Sequence, residues 1–555
     1  MRTLILLFSL SVLLAVVPLT SRATESAGAT DADWPQLLGP ARTGIAKSPK
    51  LLDAWPAKGP RQIWQSDALP CAPVCGIGSP IVSGNKVYTY ANTVEPIKGI
   101  KPFKLFLAEL GYAADMPKDL EKKIDDAQFG EKRNQCKTDD EVAAISKEIL
   151  AALDPEQVKR FGENVKLRIK LGRNSFDPGR VAMFAKVQDQ EIESREEFMN
   201  MFVEWFHHEI YHGGQINMLN TFADKVYKDQ KFIDLVICLD LTSGKELWRK
   251  SFPGTKKNYG VEFGCSGTPL VNKDRLYLRG SSGLFCLDAN KGDLVWQVKA
   301  VPGNNSPVLS NGVIYCVLDN LKAFDAATGR ELWSQPKVIG ESETPAVWTH
   351  DGVSYVLCQV DAPRYYQPFF CLNAATGKEQ WVIVNGKDTP FAGQYNALTV
   401  IGDTLYMRNG QGCAALALSP TKFEKLWFTP GCGDQGGAPV IYQDHVYLCG
   451  HSYSNDVITV LDQKTGAITL NIKNEKAGRC SNSLIADGKI FFNGYGDYRV
   501  SHLLVAKTTP DKYEEIGNFQ AVNVAACSSP AFSNGRVLLR LQRGVACYDM
   551  TAAGN

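Results

Sequence analysis

The sequence predicts an all-β chain: an eight-bladed β-propeller of four-stranded blades, with a helical insertion in the first blade. Three observations carry this. Five eleven-residue stretches are near copies: 238–248 (CLDLTSGKELW), 286–296 (CLDANKGDLVW), 323–333 (AFDAATGRELW), 371–381 (CLNAATGKEQW) and, more degraded, 460–470 (VLDQKTGAITL). A second hairpin precedes each copy, giving four short strands per unit, and Pro269, Pro307 and Pro345 recur every 38 residues, the period of a propeller blade. Between Asn92 and Phe232 the pattern lapses into about 140 residues rich in Lys, Glu, Asp, Ala and Leu, with helical rather than alternating spacing.

Taken in order, Met1-Arg2-Thr3 precedes an apolar run from Leu4 to Leu19 and a small-x-small site at Ser21-Arg22-Ala23. Residues 1–23 read as a secretory signal peptide, so export to a bacterial periplasm or cell envelope is expected. No Cys follows the run, and no later segment is apolar for long enough to span a bilayer, so no transmembrane anchor is expected after cleavage. Residues 24–60 form a leader, 61–92 and 233–549 the propeller, and 93–232 the insert. Inner strands are expected near Ser79, Gly267, Ser306, Thr344, Asn396, Gly437, Asn482 and Ser529, which sets the blade count. In each near copy an Asx and a Gly supply the hairpin turn. The last unit stops after its third strand at Cys547-Tyr548-Asp549. Arg61-Gln62-Ile63-Trp64 is expected to supply the missing outer strand and close the ring. Trp248, Trp296, Trp333, Trp381 and Trp427 hold one repeat position and are expected to pack between blades.

These units resemble the quinoprotein-type repeat, with its A/C-x-D-x-x-T-G-x-x-x-W signature. The leader, with Trp34-Pro35-Gln36, Gly39-Pro40, Arg42 and Gly44, looks like the start of exported bacterial PQQ-binding-like β-propeller proteins. That family includes quinone-dependent dehydrogenases and also non-catalytic relatives, such as the outer-membrane assembly lipoprotein of propeller fold. The resemblance therefore implies the fold and leaves the activity open. The dehydrogenases often carry two adjacent cysteines, and this chain has no Cys-Cys pair, no C-x-x-C-H haem site and no motif matching their calcium ligands. The expectation is a binding or scaffolding module of the cell envelope that engages a protein or small-molecule ligand. A dehydrogenase using PQQ with calcium is the alternative.

Function is sought between the repeats. Cys75, Cys265, Cys432, Cys480 and Cys527 each lie just ahead of an inner strand, in consecutive blades around a closed ring. Their thiols are expected at one mouth of the channel, as disulfides, as buried groups, or as a soft-metal or redox site. The polar loop residues Asn304, Glu341, Glu343, Gln394, Asn396, Asp434, Gln435 and Asn482 share that face, as does the insert. Within the insert, His208, Glu209 and His212 form an H-E-x-x-H, the spacing of two zinc ligands and a base on one helical face. Gly213-Gly214 ends that helix at once, and no Glu follows before Glu246, so packed histidines are the competing reading and a metal-binding protein a further alternative. Cys238, Cys286, Cys371, Cys547, Cys316, Cys358 and Cys449 fall on strands and read as small buried hydrophobes. Removal of Arg2 and Arg22 with the signal leaves 58 basic against 59 acidic side chains, a balance that argues against a nucleic-acid partner.

Overall fold

The computed structural model describes residues 33–551, apart from 56–58, 68, 70–77, 207–213, 256–266, 341, 361–367, 385–388, 390–397, 434–436, 451–455, 474–480, 497–499, 526–527 and 542. Its strands form eight four-stranded antiparallel blades. Blade one is Ile81–Ser83, Lys86–Val94, Phe232–Asp240 and Glu246–Pro253, and blade two runs from Leu270–Asn272 to Leu294–Lys299. Blades three to six follow in sequence, ending at Ile468–Lys473. Blade seven is Leu484–Ala486, Lys489–Gly496, Val500–Lys507 and Glu515–Ala525. Blade eight is Ala531–Ser533, Arg536–Leu541 and Gly544–Asp549, with Arg61–Ser66 as its fourth strand. That pairing runs from Arg61 opposite Asp549 to Ser66 opposite Val545, and Arg61 Nη2 meets Asp549 Oδ2 at 2.5 Å.

Each inner strand starts two or three residues later than the sequence suggests, because the residue ahead of it bonds sideways. Ser79 N–H donates to Thr268 Oγ1 (3.2 Å), Thr268 N–H to Ser306 Oγ (3.0 Å) and Ser306 N–H to Thr344 Oγ1 (3.0 Å). Further round, Ala438 N–H donates to Asn482 Oδ1 (2.9 Å), Asn482 N–H to Ser529 Oγ (3.2 Å) and Ser529 N–H to Ser79 Oγ (2.8 Å). The inner strands crowd toward the axis, so at these six starts a short polar side chain satisfies the neighbour's backbone donor.

The repeat signature has a packing cause. The indole N–H groups of Trp248, Trp296, Trp333 and Trp427 donate to Ala289, Ala326, Ala374 and Gln463 carbonyls of the next blade, at 3.3, 3.1, 2.9 and 2.9 Å. The signature Gly of the receiving blade lies against that indole. A Cβ on Gly292, Gly329, Gly377 or Gly466 would fall 2.6 Å from the Trp ring, and all four have φ between 68° and 73°. Gly is thus required twice, for the left-handed turn and for the ring's approach. Trp64 obeys the same rule: its N–H donates to Leu241 O at 2.8 Å and its ring lies 2.6 Å from a Cβ on Gly244. The outer strand of blade eight therefore docks on blade one.

The leader lies in the bore. Trp34 and Val82 exchange two backbone hydrogen bonds of 2.9 Å, and Val271 N–H donates to Pro35 O at 2.8 Å. Arg42 Nη2 donates to Pro345 O (3.3 Å), and Ile45–Ala46 pairs in parallel with Ile485 and Ala486. Leu51 N–H then donates to Asp487 Oδ2 at 2.7 Å. Only a segment crossing the axis can reach the inner strands of blades one, two, four and seven in turn. It bends at Gly39 (φ 78°), where a Cβ would fall 2.6 Å from the Trp34 ring. Burial among the inner strands pushes the Arg42 guanidinium down to about 10.

Between Val94 and Phe232, which pair with each other, the chain makes its helical excursion. Eight helices run from Pro102–Glu109 to Gly214–Val226 among the described residues. Asp154 accepts from Gln157 N at 2.8 Å and completes a capping box, and Ser194 Oγ accepts from Glu197 N at 3.1 Å. One core is aromatic, built on Phe103, Phe106, Phe176, Phe184, Phe198 and Phe202, each at most 1% exposed. The other packs Leu120, Ile124, Phe161, Val165 and Ile169. Antiparallel pairing puts Val94 and Phe232 at the end of blade one from which its inner strand starts.

A titratable link joins blades four and five. Trp348 Nε1 and His350 Nδ1 both reach Asp403 Oδ1, at 2.9 Å each. The Asp403 hydrogen bond raises the His350 pKa, and the His350 and Trp348 hydrogen bonds outweigh desolvation to lower that of Asp403. Protonated His350 therefore adds stability that is full below its unfolded value of about 6.5 and is lost as pH rises through the folded value. Ionised Asp403 adds stability above about 3.9 that is lost as pH falls through its lowered value. The urea-midpoint gap between wild type and His350→Gln is expected to be wider at a pH of about 5.5 than at about 8. An equal gap at both would remove the pair as the cause.

Candidate functional site

The face from which the inner strands start is the candidate site. Three arginines occupy one repeat position near the end of the second strand. Arg279, Arg408 and Arg540, in blades two, five and eight, are each at most 1% exposed. Arg279 donates to the carbonyls of Gly280 (2.7 Å), Val301 and, in blade three, Val317 (3.4 Å). Arg408 donates to Cys432 O (2.8 Å), Cys449 O (3.1 Å) and Gly450 O (2.7 Å) in and ahead of blade six. The Arg279 and Arg408 guanidinium groups tie a strand end to the next blade by satisfying carbonyls that have left the ladder.

Asp234 is the acidic counterpart. It is fully buried where the chain returns from the insert. It accepts from Tyr90 Oη (2.7 Å), Asn92 Nδ2 (3.3 Å), Ser281 N (3.0 Å), Ser282 N (3.1 Å) and Ser282 Oγ (3.1 Å). The last three belong to blade two, so this carboxylate holds two blades together.

Of the polar loop residues expected at the site, Asn304, Glu343 and Asn482 are described. Asn304 is half-buried. Glu343 is 3% exposed, and its Oε2 accepts from Ser342 N at 3.1 Å. Asn482 bridges blades six, seven and eight through Ala438 and Ser529. Glu341, Gln394, Asn396, Asp434 and Gln435 lie outside the described residues, as do His208, Glu209 and His212. Among the loop cysteines only Cys432 is described: its thiol is buried and donates to Thr429 O at 3.2 Å. Cys75, Cys265, Cys480 and Cys527 also lie outside, as do residues 1–23.

The seven strand cysteines are buried and free. Burial pushes the thiols of Cys238, Cys286, Cys316, Cys371, Cys449 and Cys547 up to about 12. Burial, then Glu343, raises Cys358. Such thiols stay protonated and are poor nucleophiles at neutral pH. Among the described residues no three His, Cys, Asp or Glu side chains gather to hold a metal ion, and no helix is long and apolar enough to cross a membrane.

Residues 234–469, from the third strand of blade one to the fourth of blade six, match the family described as outer membrane protein assembly factor BamB. The matched blades are thus similar to those of PQQ-like repeat proteins. The matched span holds four near copies and all but the last residue of the fifth, while blades seven and eight keep the strands without the signature. No functionally curated protein matches this chain. Among solved structures, BamB from Moraxella catarrhalis is similar at 13% identity, over 59% of this chain and 93% of that one, with a TM-score of 0.43. A quinohemoprotein alcohol dehydrogenase from Comamonas testosteroni is similar at 11% identity, over 58% and 73%, with a TM-score of 0.41. A europium-containing methanol dehydrogenase is similar at 11%, over 56% and 80%, with a TM-score of 0.42.

The axial leader and the buried arginines escaped the sequence reading. Their signals were present: Arg279, Arg408 and Arg540 follow the second-strand apolar run at one register, and Gly39-Pro40 demands a tight bend.

Proposed function

We propose that the protein is an exported, non-catalytic scaffold of the bacterial cell envelope, which binds a protein partner on the face bearing the insert. One observation carries this reading: the buried charges of that face work for the fold. Arg279 and Arg408 are occupied with backbone carbonyls, among them Val317 and Gly450 of or beside the next blade, and Asp234 with backbone amides. The leader blocks the bore behind them through Trp34, Pro35 and Arg42. What this face offers a ligand is therefore its rim and the insert, which suits a large partner better than a small substrate held on the axis.

The first test adds PQQ and calcium to purified protein and follows quinone absorbance and dye reduction with alcohols. No stoichiometric complex and no dye reduction are expected, and tight binding with turnover would replace this reading with the dehydrogenase. The second places a photo-crosslinking amino acid at Asn304 or at Val353, which lies at the opposite end of its blade and is 44% exposed. Defined adducts in envelopes are expected from position 304 alone. Adducts from position 353 alone would move the working face.

A further inference from the structure

We infer that a groove between the first and last helices of the insert receives an acidic segment of a protein partner that carries an apolar side chain. This deepens the scaffold reading and rests on it.

The groove has a volume of about 330 Å³ and is lined by Gly99, Ile100, Lys101, Lys104, Leu105 and Val226. That is near the lower end of the roughly 300–1,000 Å³ typical of ligand sites, so it suits one or two side chains. Its floor is apolar and open. On the helix Pro102–Glu109, Phe103 and Phe106 are fully buried and Leu107 is 7% exposed, yet Leu105 is 50% exposed. Leu105 faces away from the aromatic core, so packing of the insert does not account for it.

The charge around the groove fixes the partner's sign. Its acids already have partners in the chain: Asp189 meets Lys101 at 3.5 Å, Glu109 meets Lys225 at 3.0 Å, and Glu191 accepts from Gly99 N at 3.1 Å. Lys104 has no ion pair among the described contacts, and Lys98, next to Gly99 in the chain, is exposed. The first turn of the helix has no acidic residue. Lys98, Lys101, Lys104 and Lys225 stand against Asp189, Glu109 and Glu191, and this excess of positive charge draws a carboxylate, while the floor asks for an apolar anchor. An acyl chain laid here would leave Leu105 and its own outer face partly in water. A folded or extended protein segment covers groove and rim together.

The test uses the whole protein and a fluorescein-labelled hexapeptide, Glu-Asp-Leu-Phe-Glu-Asp, followed by anisotropy. Saturable binding is expected that weakens about tenfold or more, or about 1.4 kcal/mol or more, when Ser replaces Leu-Phe. The same loss is expected in Lys104→Glu and Leu105→Asp, whose side chains are solvent-facing, with unchanged circular dichroism. Binding should also weaken between about 50 and about 200 mM salt. No saturable binding, binding indifferent to both variants, or displacement of the peptide by decanoate would overturn the groove. Failure here with the position-304 crosslinks intact would sink the groove alone. Failure of both would sink the scaffold reading as well.

Discussion

Truncating Trp64 to Ala is expected to cost about 3–5 kcal/mol, the usual loss for a buried Trp. The side chain is 8% exposed, donates to Leu241 O at 2.8 Å and covers Gly244. Its loss leaves that carbonyl only the longer bond from Arg536 Nη1 (3.4 Å) and opens a void between blades eight and one. Urea unfolding followed by Trp emission measures the effect, with Trp64→Phe as the control that keeps the ring and loses only the N–H. A fall in midpoint no larger for Ala than for Phe would show that ring packing does not hold the seam. The converse change at the same contact, Gly244→Ala, should also destabilise, because φ there is 70° and the added Cβ has no room.

The second large effect is expected at Asp234. In Asp234→Ala, the amides of Ser281 and Ser282 and the hydroxyl of Tyr90 lose their acceptor inside the protein. At roughly 1–3 kcal/mol for each buried unmet donor, the total is about 3 kcal/mol or more. Asp234→Asn, which keeps one acceptor oxygen, should fall between the two. Hydrogen exchange discriminates this from general loosening: the Ser281 and Ser282 amides should speed up far more than those of blades four to six. Uniform acceleration around the ring would mean that Asp234 is not a local clasp.

The repeat made the architecture legible because it has a physical cause that a sequence displays. A Gly that must hold a positive φ and admit an indole, four positions ahead of a Trp in the same blade, is spelled out at Gly292 and Trp296 or Gly329 and Trp333. The outer strand Arg61–Ser66 could be placed for the same reason, since its Trp stands where the eighth blade lacks one. The leader was opaque. It is neither alternating nor helical, and its partners are inner strands separated from it by as many as about 440 residues. The inner-strand starts were read two residues early because Ser79-Pro80, Ser306-Pro307 and Ser529-Pro530 look extended, while their N–H groups bond the neighbouring blade. The site was less legible still. Asn482 and Glu343 were singled out for a ligand because they are polar and lie in loops. Asn482 holds blades together and Glu343 is buried beside its own strand, and burial is what a single sequence conceals.

The pairing of Arg61–Ser66 with Gly544–Asp549 has a consequence for the order in which the molecule is made. A ribosome releases the first of these segments some 480 residues before the second, which at roughly 5–20 residues per second leaves it waiting for about half a minute or more. Through that interval the strand has no ladder partner, although Trp64 can already dock on Leu241 and Gly244 of blade one. The seven other blades can form as they emerge, each on its predecessor, but the ring can join only at the end of synthesis. A slow final step is expected from this, limited by the search between distant segments, and a chain lacking Gly544–Asp549 would leave the backbone edge of Arg61–Ser66 unpaired.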